Sequence, residues 1–377
     1  MLNHPILQFG TSRFLQAHVD LFVGQAMERG EALGGITIVQ TTNSAESALR
    51  IATLAAAPGY PVRIRGLQGG RAVDQTLQCH AIHAALYAQA HWPQLRQEMA
   101  RGEVQVIVSN TGDQGFALHA ADTAAALDGC AGAPHSFPAK LLVLLHGRWL
   151  ARPQAPLSVC PCELVSRNGD TLRDLLGALA VQWRTPAAFG TWLREHCVWA
   201  NSLVDRIVSE PLHPVGAVAE PYALWAVERQ ARLVLPCRHE AIVLTDDLAP
   251  YEQRKLWLLN LGHTLLAEDW LRQGRPPGET VLQAMQAPAP RAALEAVWAD
   301  EVLPVFDALG QRAVAEDYVA SVRERFLNPY LEHHLADIAR NHAQKKQRRF
   351  APVVALAEEL KLGLPQPRLR AGLVEAH

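Results

Sequence analysis

Apolar positions in the first half of the chain fall into short blocks separated by polar turns. Residues 5–9 (Pro-Ile-Leu-Gln-Phe) form a compact apolar run ending at Gly10, the pattern of a short buried strand. Residues 12–28 place Phe14, Leu15, Leu21, Phe22 and Met27 at helical spacing and predict an amphipathic helix. Residues 35–41 (Gly-Ile-Thr-Ile-Val-Gln-Thr) are rich in β-branched side chains and predict a second strand. A further strand is expected at residues 104–109, bounded by Gly102 and by Asn110 to Gly112. A helix follows at 137–150, then a strand at 156–163 that leads to Asn168-Gly169. Strands alternating with helices imply a mostly parallel sheet covered on both faces.

From Tyr251 onward the period changes. Helical spacing predominates over residues 251–273, 291–309, 313–326, 331–349 and 351–360, punctuated by Pro and Gly. The chain of 377 residues therefore divides into an α/β domain, residues 1–247, and an all-α domain, residues 248–377.

Composition narrows the function classes. With 49% hydrophobic residues and a net charge of −2, extended disorder is excluded and a dedicated nucleic-acid binder is disfavoured. The strongest apolar run, residues 141–145, is far shorter than the roughly 20 residues of a membrane span. Met1-Leu2-Asn3-His4-Pro5 carries no basic n-region, so no secretory signal is expected. Six scattered cysteines suit a reducing compartment, and a cytoplasmic protein is expected. Cys160-Pro161-Cys162 lacks the second pair that a zinc site would need, so no metal is expected.

Ligands of open α/β sheets bind beyond the carboxyl ends of the strands. The first such turn is Phe9-Gly10-Thr11-Ser12-Arg13-Phe14. Only Gly10 is present; Ser12 and Arg13 stand where a Rossmann-like dinucleotide turn carries further glycines, and the segment also reads as an ordinary strand-to-helix turn. The second strand ends Gln40-Thr41-Thr42-Asn43 without the Asp or Glu that takes the ribose hydroxyls of NAD, leaving NAD or NADP open. Ser109-Asn110-Thr111-Gly112 is a third polar strand end, suited to a nicotinamide ribose or simply to a turn.

Lys255, Asn260 and His263 lie five and eight residues apart among leucines. At about 100° per residue they project at roughly 0°, 140° and 80°, one hemisphere of a helix. A solvated lysine, a local asparagine and a core histidine would also satisfy that spacing.

Lys-x4-Asn-x2-His, from Lys255 to His263, resembles the catalytic signature of the polyol-specific long-chain dehydrogenases, the mannitol dehydrogenase family. Asn201-Ser202-Leu203-Val204-Asp205-Arg206-Ile207 resembles that family's central motif. Phe9-Gly10 with Phe14, Ala17 and His18 resembles its N-terminal fingerprint, with Ser12 and Gln16 departing from the usual Gly and Arg. Ser109-Asn110-Thr111, Pro161-Cys162-Glu163-Leu164 with Asn168-Gly169, and Asn328-Pro329-Tyr330 with His333, Ile338-Ala339, Asn341, Lys345, Arg349 and Pro352 look closest to the tagaturonate and fructuronate reductase branch. Leu164 stands where the mannitol-type members place an asparagine, which favours the uronate branch.

The resemblance implies a metal-independent oxidoreductase using NAD(H), with NADP(H) left open. Lys255 would be the general acid/base, and its ammonium would have to ionise near the working pH. Asn260 and His263 would hydrogen-bond the reacting oxygen, and Glu252 would either relay the proton or form an exposed ion pair. Phe9, Gly10, Thr11, Ser12, Arg13, Phe14, Thr41, Ser109, Asn110 and Thr111 would bind the cofactor. Asp205, Arg206, His333, Lys345 and Arg349 would bind a small sugar acid or polyol. The run from Lys345 to Arg349 also reads as a solvated basic face. The division near residue 248 places the expected site at the domain junction, in a monomer or homodimer. The competing readings are a neutral polyol dehydrogenase and a dinucleotide-binding regulatory protein that has lost turnover.

Overall fold

The computed structural model describes residues 4–42, 45–57, 59–112 and 115–374; Asn43 and the first three residues, named above, lie outside this set. The chain forms two compact units. The first comprises residues 1–63, 76–219 and 223–248; the second comprises residues 64–75, 220–222 and 249–377.

The strands are β1 (Ile6–Phe9), β2 (Ile36–Gln40), β3 (Tyr60–Gln68), β4 (Arg71–Cys79), β5 (Ile82–Tyr87), β6 (Val106–Ser109) and β7 (Leu157–Pro161). They continue as β8 (Cys197–Trp199), β9 (Ser202–Asp205), β10 (Val208–Pro211), β11 (Ala217–Ala219), β12 (Leu224–Glu228) and β13 (Ile242–Thr245). Six of them form a parallel sheet in the order β5-β2-β1-β6-β7-β8. β1 pairs with β2 on one side and β6 on the other, so the strand order reverses beside it, the place where open α/β sheets leave a ligand crevice. Every residue of β1, β2, β6 and β7 is buried, which is why these strands read as continuous apolar runs rather than alternating ones.

The helix Phe137–Ala151 is apolar nearly all round because it is buried: Leu141 to Leu145 pack with Trp92, Trp183 and Trp192 in the core of the sheet. Ser136 caps it by accepting from the Ala139 amide, and Pro138 occupies its first turn.

The helix expected at residues 12–28 is instead two, Arg13–Gln16 and Val19–Glu28. The break falls at Ala17-His18. The His18 ring is committed to the Leu224 carbonyl at 3.0 Å and packs between Phe14 and Phe22. The Arg206 guanidinium donates to the Ala17 carbonyl at 2.7 Å, so an outside group satisfies an oxygen at the break. The β3–β4 hairpin and the small sheets β10-β11-β3-β4 and β13-β12-β9 were not expected from the sequence. β4 is mostly exposed and polar, so it carries no apolar signal; its turn uses Gly69 and Gly70 at φ +59° and +74°.

In the second unit, residues 249–273 form one helical run, but its middle turn, Lys255–Asn260, is a π-helix between Ala249–Arg254 and Leu261–Gln273. Residues 288–308 repeat this, with Pro288–Ala296, the π turn Val297–Val302 and Leu303–Ala308. The single helix expected at 331–349 is two pieces, Leu335–Ile338 and His342–Arg349. Asn341 sits between them in the left-handed region at φ +55°, a conformation asparagine tolerates and a continuing helix does not. Trp298, Phe306, Phe326 and Phe350 anchor the core of this unit. Buried Glu301, in the second π turn, accepts from the Arg368 and Leu369 amides and so caps the last helix, Pro367–Val374.

One buried carboxyl gives the first unit a pH dependence. Asp20 accepts the Tyr60 hydroxyl at 3.0 Å, and burial lifts its pKa from 3.8 to about 7. Between those values the folded chain holds a proton that the unfolded chain has released, so the contribution of Asp20 to stability is lost as pH rises from about 4 to about 7 and is level above. Between urea melts at pH 4.5 and pH 8 the wild type is expected to lose on the order of a few kcal/mol relative to Asp20→Asn, the other titrating groups being common to both. Equal slopes in the two proteins would place that proton elsewhere.

Candidate active site

The first unit gathers polar residues at the carboxyl ends of β2, β1 and β6. Gly10 has φ +109°, and a Cβ there would lie 2.5 Å from the Asn110 carbonyl oxygen, so only glycine lets the turn after β1 cross the end of β6. Ser12 caps Arg13–Gln16 by accepting from the Leu15 amide at 3.3 Å. Thr11 donates to the Gln40 side chain, and Gln16 donates to the Thr11 carbonyl at 3.0 Å. Phe9 is buried in β1 against Phe137, Phe14 stacks on His18, and Arg13 is exposed. Thr41 follows β2, where the described strand end offers Gln40, Thr41 and Thr42 but no carboxylate.

Glu163 organises the next strand end. It lies just past β7, 4% exposed, and its two oxygens accept three hydrogen bonds of 3.0 Å, from the Ser109 hydroxyl, the Thr111 amide and the Thr111 hydroxyl. Burial pushes its pKa up while those donors pull it back. Asn110 donates to the Cys162 carbonyl at 2.7 Å. Asn168 donates to the Pro161, Glu163 and Ser202 carbonyls and accepts from the Ser202 amide. A Cβ on Gly169 would lie 2.6 Å from the Ala200 carbonyl, so the Asn168-Gly169 pair is a structural lock. Leu164, by contrast, is 74% exposed. Asp205 ends β9 and is buried, while Arg206 is the donor to Ala17 described above; both belong to this unit.

The second unit gathers Lys255, Asn260, His263, His333, Lys345 and Arg349. The π turn changes the geometry expected of the first three. In an α-helix positions five apart stand about 140° round. In a π turn the amide of one residue bonds the carbonyl five before it, as Leu261 does to Leu256, so positions five apart stack one turn above another. Lys255 and Asn260 span that interval, and the turn brings them toward one face.

His263 is buried, stacked on Phe326 at 4.3 Å and edge-on to His333 at 4.7 Å. Burial holds its pKa well below the usual histidine range, reinforced by the charges of His333, Arg349, Arg325 and Lys345. Burial also lowers His333. Both imidazoles are therefore neutral near pH 7. Arg349 donates to the Asn260 carbonyl at 3.1 Å and to the Thr264 hydroxyl at 2.7 Å; burial lowers its pKa to about 10. Lys345 donates to the Ile338 carbonyl at 2.7 Å, and burial followed by the charges of Arg349 and Arg340 lowers its pKa. Among the described residues neither cation has a carboxylate within ion-pair distance. Arg254, next to Lys255, lies over the Tyr251 ring at 4.5 Å. Glu252 precedes the π turn and is half-buried.

The run from Lys345 to Arg349 is not a uniformly solvated face, since Lys346 is buried against Glu268 at 3.2 Å. Glu268 and Thr264 carried no sequence signal of their own. Each reads as an ordinary helix residue until its partner from a distant segment is known. Glu163 was visible only as part of a motif, its role as a triple acceptor hidden.

Removing the Glu163 carboxylate leaves buried donors unpaired, each costing about 1–3 kcal/mol. Glu163→Ala is expected to lower stability by about 3 kcal/mol or more, and Glu163→Gln by much less because its oxygen still serves Thr111. Thermal melts of the two variants check this; equal losses would mean that acceptance by the side chain is not what holds the strand end.

The chain matches the Mannitol dehydrogenase Rossmann domain over residues 4–235 and the Mannitol dehydrogenase C-terminal domain over residues 247–374. It is 31% identical to the altronate oxidoreductase of Klebsiella pneumoniae (strain 342), over 98% of this chain and 78% of that protein. It is 30% identical to that of Cronobacter sakazakii (strain ATCC BAA-894) over the same shares. In fold it is similar to a D-sorbitol dehydrogenase, with a TM-score of 0.82 and 20% identity over 98% of this chain and 80% of that one. The mannitol 2-dehydrogenase of Pseudomonas fluorescens, solved with NAD and D-mannitol, gives 0.71 and 19% over 98% and 83%. With both domain matches in sequence order and together spanning nearly its whole length, the chain belongs to the mannitol dehydrogenase family.

Proposed function

We propose that the chain interconverts a ketohexuronate and its aldonate, as a tagaturonate- or fructuronate-reductase-like enzyme, with Lys255 as general acid/base. Membership in the family makes it an NAD-dependent oxidoreductase of sugar acids or polyols. The preference for a sugar acid is carried by one observation. Lys345 and Arg349 are partly buried, bond only to neutral acceptors and stand with two neutral imidazoles, so their positive charge is uncompensated. A carboxylate supplies the missing charge, and the planar guanidinium suits it. The names of the altronate oxidoreductases point the same way.

The polar strand ends at Gly10–Ser12, Thr41 and Ser109–Thr111 flank the point where strand order reverses, which suits a dinucleotide; Phe9, Arg13 and Phe14 complete the first turn. When bound, the nicotinamide supplies or accepts the hydride. Lys255, protonated, gives its proton to the ketone oxygen during reduction; neutral, it takes the hydroxyl proton during oxidation. The Asn260 amide and a neutral His263 N–H donate hydrogen bonds to that oxygen as its charge grows. His263 acts as a donor that does not ionise, because burial and surrounding cations keep it neutral. Glu252 relays the proton between Lys255 and solvent. His333 orients the substrate beside Lys345 and Arg349 in the second unit, and Asp205 and Arg206 are the first unit's candidates for substrate binding. The compartment we infer is the cytoplasm; no described helix is long and apolar enough to cross a membrane.

The purified protein is expected to oxidise NADH with tagaturonate or fructuronate, and Lys255→Ala to lose at least about three orders of magnitude in kcat, in line with general acid–base catalysis. Reduction should slow and oxidation should quicken as pH rises, with no additional limb from His263. Lys345→Met and Arg349→Met should raise KM for the uronate far more than for fructose. Full activity of Lys255→Ala refutes the mechanism, and faster turnover of neutral ketoses than of any uronate refutes the substrate assignment.

A further inference from the structure

The helix His342–Arg349 carries four cations, Lys345, Lys346, Arg348 and Arg349, in eight residues. An isolated helix of this length is marginal, and here no side chain caps its start: Asn341, in the left-handed region, makes no capping bond. Something outside the helix must set its rotation about its own axis. That rotation decides which cations are available to a ligand.

Glu268 lies on Leu261–Gln273, the helix that also carries His263. It is 6% exposed, and its Oε2 accepts the His342 imidazole N–H at 2.5 Å and the Lys346 ammonium at 3.2 Å. His342 and Lys346 are four residues apart and share one stripe of the short helix. Lys345 and Arg349 are also four apart, on the adjoining stripe about 100° away. Arg349 makes the remaining stitch, to the Asn260 carbonyl and the Thr264 hydroxyl of the same long helix. One carboxylate therefore draws Lys346 inward and neutralises it. Burial lowers the pKa of His342 despite the opposing pull of Glu268, so the imidazole serves as a neutral donor.

We propose that Glu268 is a positioning residue for anionic substrates: by holding the His342/Lys346 stripe it presents the Lys345/Arg349 stripe to the substrate carboxylate. This rests on the reading that Lys345 and Arg349 meet a carboxylate. Its consequence is selective. Glu268→Gln leaves Lys346 buried and uncompensated, which loosens the helix and misplaces the anion-binding cations.

The test uses the full chain with tagaturonate, fructuronate and fructose as probes, alongside amide hydrogen exchange of residues 342–349. Glu268→Gln is expected to raise KM for the uronate about tenfold or more relative to KM for fructose. Exchange should quicken in residues 342–349 ahead of the remainder of the unit. The double variant Glu268→Gln/Lys346→Met removes both buried charges, which restores stability, but it also lacks the stitch and should keep the uronate-selective KM defect. Unchanged exchange in Glu268→Gln, or equal KM increases for uronate and fructose, overturns the proposal. If the wild type reduces no uronate, the substrate reading fails by itself, and the exchange of residues 342–349 still decides whether Glu268 sets the helix. If Glu268→Gln does not fold, the double variant decides: a uronate-selective KM increase with faster exchange in residues 342–349 supports the proposal, and wild-type uronate KM and exchange overturn it.

Discussion

The second unit is governed by backbone hydrogen bonding in a helix wound too wide. A π turn replaces the regular ladder of the α-helix, and such turns persist only where neighbours compensate. The Lys255–Asn260 turn has those neighbours. The Trp298 indole donates to the Leu258 carbonyl at 3.2 Å, and Arg349 and Thr264 both donate to the Asn260 carbonyl. Trp298 itself lies in the other π turn, Val297–Val302. Gly262 allows the approach, since a Cβ there would lie 3.0 Å from Trp298 and 3.1 Å from Phe326. The wide turn, the tryptophan and the arginine therefore form one arrangement. The arginine that completes the backbone bonding is the same one whose charge meets no carboxylate among the described residues.

The first unit meets a similar demand by other means. Its parallel strands end in loops whose amides and hydroxyls must be satisfied while part of the crevice stays open. Glu163 and Asn168 answer it with long polar side chains turned inward, between them engaging Ser109, Thr111, Pro161 and Ser202. Gly10 and Gly169 supply close backbone approach where a side chain would collide. A glutamate suits this role because its ionised form accepts only, with two oxygens for three donors.

Legibility in the sequence follows from which physical signal each feature leaves. Buried parallel strands and the apolar helix at 137–151 announce themselves through runs of leucine, valine and isoleucine. The β4 strand, mostly exposed, leaves no such run. The break at Ala17-His18 and the left-handed Asn341 are decided by tertiary partners, Leu224 and Arg206 for the first, and are invisible to periodicity. The trio Lys255, Asn260 and His263 was legible as a motif. Its α-helical angles were not the true ones, because a π turn is set by the tryptophan and arginine packed against it and not by local propensity. Glu268 was silent, since a glutamate on a helix is ordinarily a solvated residue.

Net charge illustrates the same point about averages. The chain as a whole is close to neutral, at −2. Its buried ion pairs, such as Arg325 with Glu220 at 2.8 Å and Lys346 with Glu268, cancel locally and add nothing to the field that a ligand meets. Lys345 and Arg349 are different because their hydrogen bonds go to neutral oxygens. Such bonds fix the geometry of a cation without cancelling its charge, and partial burial strengthens that charge at short range by removing the water that would screen it. Burial lowers the basicity of His263, and the same field adds to that effect. Cations held by neutral oxygens thereby also bear on the protonation state of a neighbouring imidazole.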